Sequence, residues 1–324
     1  MNSRIALADW VNCAVRPAAG LASPLLPEGL HPGKRAHRVI TALQASAVGR
    51  EFPRTMLEAV VRSHLLKRNV SRFRGAELRA FCEKNVDYSG AFTPAQVLAE
   101  TRPLIFATPH YGAPLVGCVA LAHLMHGRKM LKAFYDKERY GAELGPFLER
   151  GGLQAAASLG GLAGVRTALR ALARGESLAI LPDAFDHIEQ TLVVPFFGRL
   201  LRVASGSAFL ALRARALIVP AFAVPRRKFG LCVTFGTPID PARISADDES
   251  QALFTLTHLL FARIEKQLRL APEHWLYWGA LPQVSTPLGA VPLADPQLID
   301  ALKAKFRALP PAVQDIPELE LLLE

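Results

Sequence analysis

From residue 103 to residue 270, short apolar runs of β character alternate with stretches of helical periodicity, and no other feature limits the possible folds as tightly. Pro103–Thr108 (PLIFAT) reads as a buried strand, Ala113–His126 as a helix, Lys129–Phe134 as a strand, Lys137–Arg150 as a helix and Leu153–Ser158 as a third strand. A helix over Leu162–Ala173 follows, with Arg166, Arg170 and Arg174 recurring on one face. Ser177–Leu181 is then a strand and Ser205–Arg215 a helix. Leu217–Val224 and Gly230–Phe235 read as strands paired in a hairpin across Pro225–Phe229, and Ser250–Leu270 as a long helix. Strands separated by helices are joined by crossovers, which bring them side by side in parallel. The predicted class is therefore α/β: a single-domain sandwich with a central, mostly parallel mixed sheet flanked by helices.

The flanks differ in character. Pro17, Gly20, Pro24, Pro27, Gly29, Pro32 and Gly33 mark residues 17–35 as an irregular entry segment. Residues 36 to 86 have helical periodicity, clearest in Met56, Leu57, Val60, Val61, His64 and Leu65. From Pro282 the chain is proline-rich and then helical, over Asp295–Leu309 and Pro311–Leu323. This divides the chain into an N-terminal segment (1–35), a main domain (36–281) and a C-terminal helical extension (282–324). Apolar residues make up 51% and charged residues 20%, enough for a sizeable core and unlike a disordered or fibrous chain.

The formal charge of +10 is concentrated early: up to residue 80, thirteen Lys and Arg face five Asp and Glu, a balance of +8. Such a surface favours an anionic partner, and a basic helical segment suits anionic membrane lipids. No recognition-helix, RNA-recognition or zinc-finger pattern accompanies the charge, so nucleic acid is not expected. No uncharged apolar run of about 18 residues occurs, so no spanning helix is predicted. Asp9 and Arg16 interrupt the first apolar stretch, which does not read as a signal peptide. Cys13, Cys82, Cys118 and Cys232 form no paired motif and fit a reducing compartment. His123 and His126 share a helical face without further ligands, so no metal site is expected.

Four motifs carry chemistry. In Ile105–Pro114 (IFATPHYGAP) a buried strand ends, His110 follows at once and a helix begins, which suits a general base. In Ile180–His187 (ILPDAFDH) another strand runs into Asp183 and Asp186, either of which could orient the imidazole. Val194–Arg202 (VPFFGRLLR), followed by Ser205, gives an apolar edge, a turn and two arginines before a helix, a setting for phosphate or carboxylate. In Ala271–Gly279 (APEHWLYWG) an aromatic cluster serves packing or a membrane interface. No GxSxG elbow exists, so a covalent acyl-enzyme is not expected. Gly160–Gly164 matches no phosphate-loop motif either.

Taken in order, HYG at His110, LPDxxD at Asp183, PFFGRxxR at Pro195–Arg202 and PExWLYW at Pro272–Trp278 resemble the lipid A biosynthesis acyltransferase family, within the lysophospholipid acyltransferase group. The resemblance covers roughly residues 36–280. It implies an acyltransferase-like α/β domain with an acyl channel. It also implies transfer of an acyl group from an acyl carrier protein or coenzyme A thioester to a hydroxyl or amine of a lipid-type acceptor, peripherally at the cytoplasmic face of the inner membrane. The donor is a substrate, and no cofactor is implied. On this basis His110 and Asp183 are the expected catalytic pair, and Tyr111, Gly112, Asp186, Phe197, Gly198, Arg199, Arg202 and Ser205 the expected substrate contacts. The oxyanion is assigned to backbone N–H groups or a positive side chain. Such enzymes usually carry an acid five residues after the histidine, and here that position is Leu115. A catalytically silent lipid-binding protein of the same fold, or an acyltransferase for a soluble secondary-metabolite intermediate, are the alternatives.

Overall fold

The N-terminal layer is built from three helices that the sequence reads as one continuous helical region. They are α1 (Pro32–Ala42), α2 (Phe52–Val70) and α3 (Gly75–Asn85). The computed structural model describes residues 15–287 except 16, 28–29, 44–47, 127–130, 134–144, 148–149, 151–153, 156–160, 184–190, 227, 245 and 247. Residues 17–25 are also helical, which corrects the irregular entry expected there. Proline ended the helical reading, yet proline is tolerated in a first helical turn, where its missing N–H would have no partner. Pro32 and Pro53 occupy such positions in α1 and α2. His31 caps α1, its Nδ1 accepting from the Lys34 N–H at 3.2 Å.

The buried stripe of α2 runs Phe52, Met56, Ala59, Ser63, Leu66 and Val70, one step away from the Val60, Val61 and His64 face read from apolar residues alone. Ser63 enters that stripe because its hydroxyl donates to the Ala59 carbonyl at 2.9 Å, and Arg62 is buried beside it because Glu58 accepts from it at 2.9 Å. Polar groups paired in this way can be buried without the desolvation cost of an unpaired one.

Seven strands form the main sheet: β1 (Val86–Gly90), β2 (Leu104–Ala107), β3 (Leu131–Ala133), β4 (Gln154–Ala155), β5 (Ser177–Ile180), β8 (Leu217–Pro225) and β9 (Leu231–Phe235). Their order is β1-β9-β8-β2-β5-β3-β4, and every neighbouring pair is parallel except the β8–β9 hairpin. The α/β architecture with a mixed, mostly parallel sheet is thus present. The helices α4 (Pro94–Ala99), α5 (Pro114–Leu124), α6 (Gly161–Ala173), α7 (Gly206–Ala214) and α8 (Glu249–Leu270) complete the layers. Strand β2 shows why both faces need covering: Ile105 and Ala107 enter one core, Leu104 and Phe106 the other, and all four are fully buried.

A second sheet departs from the sequence reading. β6 (Thr191–Phe196) and β7 (Arg199–Ala204) form an antiparallel hairpin closed by Phe197 and Gly198, and β10 (Ser285–Pro287) adds to β7. Both turn residues have positive φ, 51° and 64°, the left-handed pair that suits a two-residue hairpin. The beginning of the expected C-terminal extension is therefore a short helix, α9 (Leu281–Val284), and a strand joined to the hairpin. The helices expected over Asp295–Leu309 and Pro311–Leu323 lie outside the described residues, as does most of the one expected over Lys137–Arg150.

Candidate active site

Strands β2 and β5 are parallel neighbours, so the residues that follow their carboxyl ends emerge together. The Thr108 N–H and hydroxyl both donate to the Ile180 carbonyl, at 2.8 and 3.3 Å, and hold the two exits side by side. His110 and Asp183 come next in their respective segments.

The imidazole Nδ1 of His110 lies 2.9 Å from Oδ1 of Asp183, and the backbone N–H of His110 donates to the same carboxylate at 2.9 and 3.0 Å. The indole N–H of Trp275 donates to Oδ2 at 2.9 Å. Asp183 is 1% exposed, so a buried carboxylate is met by three donors from two remote segments. In the tautomer that donates from Nδ1 to the carboxylate, the lone pair is on Nε2. The His110 side chain is 24% exposed, and its ring stands against the edge of Tyr277 with centroids 4.7 Å apart.

The loop between β2 and α5 is fixed by backbone bonds. The Tyr111 N–H donates to Pro109 O, Gly112 to His274 O, Ala113 to Ala223 O, and Leu276 donates back to His110 O at 3.1 Å. Gly112 has φ +66°, and a Cβ there would lie 2.2 Å from the Ala223 carbonyl, so only glycine fits. The four amides from His110 to Ala113 are consequently all engaged in holding the loop.

The residues expected to contact substrate lie in different settings. Tyr111 is fully buried; its hydroxyl donates to Ala271 O and accepts from Gln267 Nε2, each at 3.1 Å, and burial pushes its phenol pKa up. It belongs to the scaffold of the loop, and Gly112 acts through its backbone. Phe197 is packed against Phe196 and Trp278, with the Arg269 guanidinium 4.8 Å from its ring centre, and Gly198 completes the hairpin turn. Arg199 is buried and donates to the Ser285 hydroxyl at 2.6 Å and the Ser285 carbonyl at 2.8 Å, so it ties β7 to β10 instead of facing an anion. Ser205 is buried before the first turn of α7, whereas Arg202 is exposed on β7. Asp186 lies outside the described residues.

Leu115, at the position of the usual acid, packs in the first turn of α5 against the second core. The orienting carboxylate reaches His110 from β5 instead. Trp275 was read as packing; it is fully buried and also fixes Asp183. A buried indole needs an acceptor for its N–H, and that requirement is the only signal the sequence carried for this role.

Among the described residues no group of three or more His, Cys, Asp or Glu side chains is placed to hold a metal ion. No curated protein matches the chain. The family model described as bacterial lipid A biosynthesis acyltransferase matches residues 84–279, a span that takes in His110, Asp183, the β6–β7 hairpin and the Trp275–Gly279 segment.

Proposed function

The chain belongs to the bacterial lipid A biosynthesis acyltransferase family, and from that premise we propose that it moves an acyl group from a thioester donor to a hydroxyl or amine of a lipid-type acceptor, with His110 as general base. The observation that carries this is the 2.9 Å contact between His110 Nδ1 and a buried Asp183 carboxylate, which presents Nε2 as the basic atom. The acceptor loses its proton to Nε2 as its oxygen or nitrogen attacks the thioester carbonyl. The tetrahedral intermediate then collapses with cleavage of the C–S bond, and the imidazolium returns the proton to the departing thiolate. Asp183 stabilises the imidazolium between these steps.

The amides of residues 110–113 are engaged, so the oxyanion needs other donors. The first turn of α5, at Leu115 and Val116, carries N–H groups without helical acceptors and the positive end of the helix dipole. The donor is an acyl carrier protein or coenzyme A thioester, and no cofactor enters the scheme. Exposed Arg202 remains a candidate contact for a substrate phosphate.

The proposed setting is peripheral, on anionic lipid at the cytoplasmic face of the inner membrane. It is supported by the +8 balance of the first 80 residues and by exposed Leu21, Leu25 and Leu30 in the N-terminal layer. No described helix is long and apolar enough to cross a membrane.

The test is acyl transfer by purified protein with an acyl-thioester donor and a membrane-lipid extract as acceptor, read by mass spectrometry. His110→Ala should lower turnover by about 100-fold or more while its melting temperature stays near that of the wild type. An equally active, folded alanine variant would remove the base from the mechanism.

A further inference from the structure

We infer that Arg35, on α1, is the anchor for a phosphate group of a substrate bound at His110; the inference rests on the acyltransferase reading above. Helix α1 contains Lys34, Arg35 and Arg38 and no acidic residue at all. Lys34 is committed, its Nζ donating to Leu26 O at 2.7 Å. Arg35 is exposed, and its guanidinium makes no hydrogen bond or ion pair among the described residues.

Its side chain is packed on one side. It lies across Gly279, where an added Cβ would come within 3.0 Å of Arg35 Cδ and Nε and 3.4 Å of Cγ. Gly279 ends the segment that runs past the catalytic histidine. Leu276 donates to the His110 carbonyl, the Tyr277 ring meets the imidazole with centroids 4.7 Å apart, and two residues further on the chain passes beneath the guanidinium. Two residues span at most about 7 Å, so the backbone under Arg35 lies within that distance of the residue whose ring meets the imidazole.

The chemistry selects phosphate. A guanidinium is always charged and offers a planar fork of N–H donors that matches two phosphate oxygens. An anion seated there would belong to one of the two molecules that meet at Nε2. Arg199, which the motif PFFGRxxR offered for this task, is spent on Ser285. The phosphate comes either from the acceptor headgroup or from the pantetheine arm of the thioester donor, and kinetics separate the two.

The decisive variant is Arg35→Met, which keeps the stem over Gly279 and removes the charge; Arg35→Lys keeps the charge without the fork. Acyl transfer is measured with acceptor varied at saturating donor, then donor varied at saturating acceptor. R35M should raise one of the two KM values about tenfold to a hundredfold, the usual loss for a hydrogen bond to a charged group, with kcat changed less than about twofold. R35K should fall between. The KM that moves names the phosphate's source. Removing the phosphate from that substrate, by phosphatase treatment of the acceptor or use of an acyl-pantetheine donor, should raise the wild-type KM to the R35M value and abolish the difference between the two proteins.

Unchanged KM values for both substrates in an active R35M enzyme would overturn the inference. So would an equal penalty on the dephosphorylated substrate, which would leave only packing. A binding arm needs no turnover. Inorganic pyrophosphate, titrated calorimetrically at low salt, should bind the wild type and lose most of its heat with R35M; equal binding to both proteins counts against the site. Arg35-dependent pyrophosphate binding in a wild-type protein that transfers no acyl group would retain the anion site and reject the acyltransferase reading.

Discussion

Asp183 accepts from a ring nitrogen, a backbone amide and an indole, and an amide in its place cannot do all three. Asp183→Asn should therefore lower turnover by about 1,000-fold or more, because an amino group facing Nδ1 favours the wrong imidazole tautomer. The acceptor KM should change far less, which a kcat-against-KM comparison reads. Trp275→Phe keeps the ring and removes one donor, and about a tenfold loss in kcat is expected from the loosened carboxylate. At this scale the sequence revealed the pair itself: a histidine and an aspartate directly after two apolar runs have to emerge at one end of a parallel sheet. It hid the roles that depend on rotamer and burial. Tyr111 looks available in HYG but points into the core, and Arg199 looks like an anion ligand until a strand from residue 285 arrives to claim it.

Elements were legible where apolar periodicity is strong and unbroken. β2, β5, β8, β9, α6 and α8 lie where the alternation puts them, with ends shifted by a residue or so. β1 was not seen because Val86–Gly90 is mostly polar; it is an edge strand completed by parallel pairing to β9. The β6–β7 hairpin was not seen because its turn places a phenylalanine at positive φ, a conformation that tertiary packing of the ring and a bond from the Phe197 N–H to Glu265 at 2.9 Å make tolerable. Within α8, His258 is stacked parallel to Phe254, and burial lowers its pKa from 6.5 to about 4. Neutral histidine is thus favoured in the fold, so this contribution to stability is complete above the unfolded value and falls away as pH drops from about 6.5 towards 4. His258→Leu should flatten the decline in melting temperature between about pH 7 and pH 5, measured by calorimetry. An unchanged slope would show that the acid sensitivity arises elsewhere.

For the molecule as a whole, the exposed large apolar side chains among the described residues are Leu21, Leu25, Leu30, Leu270 and Leu276. The first three belong to the basic N-terminal layer; Leu276 follows Trp275 in the segment bonded to His110. Each basic side chain near an anionic surface contributes on the order of 1 kcal/mol, and salt screens it. Liposome flotation should therefore show binding that rises with the anionic lipid fraction, weakens with salt and drops when Leu21 and Leu25 are both replaced by Ser. Binding indifferent to lipid charge and salt would indicate a purely apolar attachment, and no binding would favour a soluble acceptor.

The carboxylate of Asp183 also sets a clock on synthesis. One of its donors is His110, already made when residue 183 is added; another is Trp275, 92 residues later. At the usual elongation rate that interval is about 5–20 s, during which a nascent chain holds the histidine and the aspartate without the indole that fixes them. Messages or proteolytic fragments that stop short of residue 275 would yield chains with most of the central sheet and an Asp183 carboxylate that lacks its indole donor. A chain that ends there should carry at least the loss in turnover expected of Trp275→Phe, even with the His110–Asp183 contact intact.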